Sequence, residues 1–265
     1  MTQTTDLQHA QLDIDPRGVA YLTLNRPEVH NAFDDHLIAE LLDKLRQVRE
    51  ASARVLVFRS LGKSFSAGAD LGWMKRMASY SKAENKKDAQ ELARLMHELD
   101  TLPCPTICRV QGAAYGGAVG LAACCDIVVA TEKARFCLSE VKIGLSPAVI
   151  SPYVVRAIGV RAMRRYALTT EVITVHLAHQ LGLVHEVVSE DALDGQIEIL
   201  VETLLANSPQ AVARTKQLVH YVADRPADAT TQDYTTDLIA EIRVSEEGQE
   251  GLSAFFEKRA PGWQG

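Results

Sequence analysis

The chain lacks the long apolar run that a membrane helix needs, about 20 residues. Its longest apolar stretch, Ala118 to Cys125, is far shorter. It also lacks a cationic excess. Its 28 basic residues face 34 acidic ones, for a net charge of −6, which excludes the broad basic face of a nucleic-acid binder. A local site for a polyanionic small ligand stays open. Proline and glycine are not abundant enough for disorder or collagen. None of the five cysteines forms a Cys-x-x-Cys pair. Cys104 and Cys108 are four apart and Cys124 and Cys125 adjacent, spacings that fit neither a zinc knuckle nor a secreted disulfide framework. Reduced thiols are expected, Cys124 and Cys125 serving as small core residues. Residues 1–18 show neither an apolar signal core nor an Arg-rich amphipathic pattern, so no targeting segment and a cytoplasmic location are expected.

Several catalytic signatures are missing too. Gly62-Lys63-Ser64 looks like the end of a phosphate-binding loop, but Val57 stands where its first glycine belongs. There is no Gly-x-Ser-x-Gly elbow, no His-Glu-x-x-His and no Gly-x-Gly-x-x-Gly after a strand. The histidines are scattered; His176 and His179 lie three apart without a carboxylate triad, so surface or satisfied core positions are expected. No metal is expected.

What is present is alternation. Val19–Leu24 reads as a strand, followed by Arg26-Pro27 and a helix from about Asp34 with Leu37, Ile38, Leu41, Leu42, Leu45 and Val48 on one face. Val55–Phe58 reads as a buried strand. Residues 74–88 are polar, a helical lid or a solvated loop. Leu92, Leu95, Met96 and Leu99 mark a helix, Thr106–Val110 a strand, Asp126–Ala130 and Ala134–Leu138 two more. After about residue 155 helices dominate, with a stripe from Leu193 to Leu205, a capped start at Ser208-Pro209 and a helical stretch over 233–258. The pattern predicts an α/β core with a C-terminal helical appendage.

Two junctions run from strand through glycine turn to helix: Phe65-Ser66-Ala67-Gly68-Ala69-Asp70-Leu71 and Gly112-Ala113-Ala114-Tyr115-Gly116-Gly117-Ala118. Each can leave backbone N–H groups unpaired at a helix start. Two such groups converging on one point form an oxyanion hole. Alone, each turn is equally well a plain connector.

Around these turns lie Leu24-Asn25-Arg26-Pro27 with Asn31-Ala32, Leu102-Pro103 with Pro105-Thr106, and Cys125-Asp126-Ile127. Further on come Ala134-Arg135-Phe136 before Glu140, Gly144-Leu145-Ser146-Pro147, Ala178 with Gly182-Leu183-Val184, Ser208-Pro209 with Lys216, and Glu247-Gly248 with Ala254-Phe255. In this order and spacing the chain resembles, almost end to end, the crotonase (enoyl-CoA hydratase/isomerase) superfamily. The resemblance implies a spiral of repeated ββα turns over 1–195 and a C-terminal helical region, 196–265, that builds a homotrimer or a hexamer of two trimers. It implies an acyl-CoA thioester as ligand, coenzyme A being part of the substrate and no separate cofactor being needed. Nucleic acid and membrane are not expected partners. The amides of Ala69 and Gly117 would hold the thioester oxygen, each donor being worth about 3–4 kcal/mol of barrier. Arg26, His30, Ala67, Gly68, Asp70, Leu71 and Gly116 would line the ligand channel. Lys258, or Arg259, would meet the nucleotide phosphates from a neighbouring subunit; without the resemblance both are solvated charges.

The resemblance also exposes a departure. Typical hydratases place two glutamates around the catalytic water. The second falls on Glu140; at the first position this chain has Gly120. One carboxylate can take a proton from water and return it to C2, but it loses an anchor for the water. It serves an isomerase equally well. Outside the family Glu140 reads as an ion-pair partner of Arg135 or Lys142. After Pro147, Ala148-Val149-Ile150-Ser151 replaces a glycine-rich stretch and should reshape the acyl pocket. Together these departures resemble bacterial hydratases of 3-methylglutaconyl-CoA or isohexenylglutaconyl-CoA. Lys75, Arg76 and His97 are the cations on the lid segments, surface exposure being the expectation for each. The leading expectation is a hydratase of a branched 2-enoyl-CoA; the rivals are a Δ3–Δ2 enoyl-CoA isomerase and a trimeric acyl-CoA-binding protein without catalysis.

Overall fold

The computed structural model describes residues 9–264, so residues 1–8, where a targeting segment was sought, lie outside it. A six-stranded sheet runs in the order β1 (Ala10–Ile14), β2 (Val19–Leu24), β3 (Val55–Ser60), β4 (Thr106–Val110), β6 (Ile127–Thr131), β9 (Glu186–Val188). Only β1 is antiparallel to its neighbour. Side chains of the middle strands alternate as a sheet buried on both faces requires. Leu56, Phe58, Cys108 and Val128 enter the larger core cluster, whereas Val55, Val57, Ile107 and Val129 enter a second one. That second cluster is closed by Leu193, Ile197, Val201 and Leu205 of helix α7 (Leu193–Leu205), the stripe expected from the sequence. Because α7 covers the sheet, the 195/196 division falls inside a core helix.

A second layer holds β5 (Ala113–Tyr115), β7 (Arg135–Cys137) and β8 (Ile173–Thr174). Single bridges extend it: Phe33 pairs with Ala69, and Ser66 with Ala114. Short segments of successive chain turns therefore lie side by side, and each leads into a helix. Phe33 precedes α1 (Asp35–Glu50), Ala69 precedes α2 (Leu71–Met77), Tyr115 precedes α4 (Gly117–Ala123), and Cys137 precedes the 3-10 turn Glu140–Ile143 and α5 (Ser151–Thr169). This is the ββα spiral that the resemblance implied. Its consequence is functional: four helix starts crowd along one edge.

Several expectations need adjustment. The lid region is α2 followed by α3 (Lys82–Asp100), the latter opened by a Ser81–Glu84 capping box. Trp73 Nε1 donates to Asp88 Oδ1 at 3.2 Å and ties the two helices. Three short strands, β5, β8 and β9, together with β1, carry no sequence signal strong enough to read. The helical stretch at 233–258 is two helices, α9 (Ala229–Val244) and α10 (Glu246–Glu257), broken at Ser245, which caps both. Helix α6 (Val175–Leu181) bridges β8 and β9, and α8 (Pro209–Val222) starts at Ser208 as expected. Lys216 of α8 reaches Asp126 at 2.8 Å, and the same Asp126 oxygen accepts from Thr106, which pins the C-terminal helices to the sheet.

Candidate active site

The first glycine turn is held by residues upstream of it. Asn31, fully buried in the left-handed region, accepts from the Arg26 amide and donates to the carbonyls of Leu61 and Ser64 at 2.7 and 3.0 Å. Gln111 donates to the carbonyls of Ser60, Gly62 and Ser64 from the far side. Between these clamps the chain reaches Ser66, whose amide donates to the Ala113 carbonyl and whose carbonyl accepts from Tyr115. The two glycine turns are thereby brought into register. Ala69 stands three residues beyond Ser66, and Gly117 three residues beyond its partner Ala114.

At the contact both chains must be bare. A Cβ on Gly68, where φ is +89°, would stand 2.7 Å from the Tyr115 carbonyl oxygen. A Cβ on Gly117 would stand 2.4 Å from Phe33 Cζ. These glycines are required by close approach, not only by the turn. The Gly68 carbonyl accepts from Phe33, and the Asp70 amide donates back to Phe33, so the amide of Ala69 between them is left free. The Gly117 amide is likewise free, at the first position of α4, where no preceding carbonyl can reach it. Both residues are half-buried.

Glu140 comes from the next turn of the spiral. The Gly116 amide donates to the Cys137 carbonyl at 2.8 Å, which sets the start of the 3-10 turn beside α4. Glu140 Oε1 would lie 3.3 Å from a Cβ on Gly116. Its Oε2 is buried without a hydrogen-bond partner, an expensive arrangement for a carboxylate. Burial raises its pKa above the ordinary glutamate range. The group pairs with neither Arg135 nor Lys142; Arg135 donates instead to the carbonyls of Glu132 and Ala134. A buried, unpaired carboxylate close to the start of α4 is a group able to take and give a proton.

The remaining expected residues divide. His30, Ala67 and Leu71 are exposed along the first turn, Leu71 at 79%. His30 Nδ1 lies 3.2 Å from Ser64 Oγ, and its carbonyl accepts from Ala67. Arg26 is not free for a ligand. It is bound to Asp34 at 3.0 Å, donates to the Ala32 carbonyl, and lies 3.6 Å from Asp70. Asp70 caps α2 through Gly72 and Trp73, and Asp34 caps α1. Arg26 thus ties together Asp34 and Asp70, the caps of α1 and α2. Gly120 offers no reacting group, and no room remains beside it: a Cβ there would meet Ile150 Cγ2 at 2.3 Å. Lys75, Arg76 and His97 are all exposed, Arg76 being paired with Asp35. Lys258 is exposed at the end of α10, whereas Arg259 is held by Glu250 and Glu257. Phe33, Trp73 and Ile150 around the site were not expected as a group. The five cysteines are free and buried, and His185, exposed at the surface, accepts from the Val128 amide. No helix of the described residues is long and apolar enough to cross a membrane, and no three metal-binding side chains gather among them.

Spiral and turns together define an α/β protein with two unpaired backbone amides, at Ala69 and Gly117, and a buried carboxylate, Glu140. A match to the enoyl-CoA hydratase/isomerase family spans residues 15–265. The chain belongs to this family. A crystal structure of an enoyl-CoA hydratase from Shewanella pealeana is 49% identical, with a TM-score of 0.94, covering 99% of this chain and 100% of that one. The 2,3-dehydroadipyl-CoA hydratase of Escherichia coli is 32% identical over 93% of this chain and 95% of its own length. The trans-2-decenoyl-[acyl-carrier-protein] isomerase of Streptococcus mutans is 28% identical over 94% of this chain and 95% of its own.

Proposed function

We propose that the protein adds water across the C2=C3 bond of a branched 2-enoyl-CoA of the 3-methylglutaconyl or isohexenylglutaconyl type. The observation that carries this is the orphaned oxygen of Glu140 beside the free amide of Gly117. The amides of Ala69 and Gly117 take the thioester oxygen and stabilise the enolate as C2 gains electron density. Ionised Glu140 accepts a proton from water while the water oxygen bonds to C3. The same carboxyl then delivers that proton to C2. The burial that raises its pKa suits a group that must both take and give a proton.

His30, Ala67, Gly68 and Leu71 line the coenzyme A channel in this reading. Lys258 meets the nucleotide phosphates of a neighbouring subunit within a trimer or hexamer. Exposed Phe255, Phe256 and Val244 on α9 and α10 support such an assembly. The free cysteines fit a cytoplasmic enzyme. With Arg76 paired to Asp35 and no ion pair to Glu140 among the described residues, the distal carboxylate of the substrate itself helps to hold the water. A neutral analogue hydrated as fast as the dicarboxylate would contradict that point.

A second reading is a Δ3–Δ2 enoyl-CoA isomerase, favoured by the single carboxylate and by similarity to an isomerase. Purified protein with a panel of enoyl-CoA thioesters separates the two. Hydration removes the conjugated thioester absorbance of a 2-enoyl-CoA and yields a 3-hydroxyacyl product. Inertness towards every 2-enoyl-CoA, with conversion of a 3-enoyl-CoA, would establish the isomerase instead.

A further inference from the structure

The two free amides lie on different turns of the spiral, and one residue contacts both turns at that point. The Ser66–Ala114 bridge joins the turns upstream of the amides. Past it, no hydrogen bond among the described residues links 67–71 to 116–118. Phe33 closes the frame there. Its backbone pairs with Ala69: its amide donates to the Gly68 carbonyl and its carbonyl accepts from Asp70, both at 2.9 Å. Its side chain crosses to the other turn. A Cβ on Gly117 would lie 2.4 Å from the ring Cζ and 3.3 Å from both Cε atoms, so the ring meets Gly117 tip first. The ring is also backed. Trp73, in the first turn of α2, packs against it with centroids 6.2 Å apart, and both rings are almost fully buried. The neighbouring Asp34 caps α1 through the Leu37 amide, which fixes the backbone that carries the ring.

We infer that Phe33 is a positioning residue: its ring is the spacer that sets the Gly117 amide relative to the Ala69 amide. A phenyl ring has no internal rotation, so one held end-on has a fixed reach. A close-packed interior passes any change in that reach to the neighbour. Phe33 touches no reacting atom and acts through the two donors. The inference rests on the oxyanion reading above and adds what holds the donors in place. A misplacement of about 1 Å can cost about 10²-fold in rate, so a change of spacer length is readable.

The test compares Phe33→Leu, which removes Cζ and both Cε atoms, with Phe33→Met, which keeps an unbranched side chain of similar reach. The first readout is the carbonyl stretch of bound butyryl-CoA, isotopically labelled at the thioester carbonyl, in infrared difference spectra. Hydrogen bonds from the two amides lower it, and no turnover is needed. The second is kcat on 3-methylglutaconyl-CoA beside the Kd of butyryl-CoA. Phe33→Leu should lose most of the frequency shift and lower kcat about 10- to 100-fold, with Kd within about threefold of wild type. Phe33→Met should keep most of both. Gly117→Ala combined with Phe33→Leu should exceed Gly117→Ala alone in kcat by about tenfold, because the shorter side chain admits the new Cβ. Should Phe33→Leu fail to fold, Phe33→Tyr lengthens the spacer at Cζ and should lower the shift and kcat instead. A wild-type shift that Phe33→Leu, or Phe33→Tyr in its place, leaves whole would overturn the role of Phe33 and leave the oxyanion reading standing. A wild type that shifts nothing would remove the oxyanion reading and this inference with it.

Discussion

The first and second turns of α4 are both built on bare glycine, with different results. At Gly116 the missing side chain lets the Glu140 carboxylate come within 3.3 Å of where a Cβ would stand, and at Gly117 Phe33 fills the side-chain space while the amide stays free. At Gly120 Ile150 fills the side-chain space in the same way, but the residue lies inside the helix. Both turns are packed; only the first keeps a free amide. Glycine at a helix start thus identifies a site only when its amide is free and a reacting group faces it.

The same substitution at both turns makes the contrast measurable. Gly117→Ala drives a Cβ into Phe33 and displaces the free amide, so hydration should fall about 10²- to 10³-fold, as for loss of one oxyanion donor. Steady-state kinetics on a 2-enoyl-CoA reads it. Arg26→Ala removes the brace between the caps of α1 and α2. Breaking this largely buried pair should cost about 3–5 kcal/mol in denaturant unfolding. It should also slow turnover through the loosened Ala69 amide. Gly120→Ala crowds Ile150, and overpacking should cost about 1–3 kcal/mol in the same unfolding measurement. Its turnover should stay within about tenfold of wild type, far from the loss expected at an oxyanion donor. If Gly117→Ala and Gly120→Ala lose activity equally, the contrast between the two turns fails.

The smallest effect concerns the stability cost of Glu140 itself. Burial raises its pKa in the folded state. A carboxyl raised in this way favours folding while protonated, below its unfolded pKa of about 4.3, and this contribution is lost as pH rises through the raised folded value. Glu140→Gln should therefore raise Tm at neutral pH, and the gain should vanish in acid. Thermal melts of both proteins across pH check this.

Much of the site was legible because it depends on local chain requirements. Gly68, Gly116 and Gly117 announce tight turns, and α1 with its Asp34 cap declares itself by periodicity. The family resemblance located Glu140, whose position depends on the Gly116–Cys137 bond between two spiral turns. What stayed hidden was set by distant contacts. The pairing of Arg26 with Asp34 and Asp70, eight and forty-four residues on, is one such contact. Ile150 looked merely bulky, since its contact with Gly120 joins residues thirty apart in the chain. Strand β5 is three alanine-rich residues whose pairing with β7, not their propensity, makes them a strand. The break at Ser245 was hidden because helical periodicity resumes directly after it, with Ser245 capping α10 through Gly248.

The central claim is that Glu140 alone takes the proton from water and returns it to C2. Glu140→Gln keeps the shape of the side chain and removes the base. Its hydration rate and its affinity for a saturated acyl-CoA, measured side by side with wild type, test the claim most directly. The account predicts a rate lower by about 10²- to 10⁴-fold with affinity changed no more than a few-fold. Turnover close to wild type would contradict it.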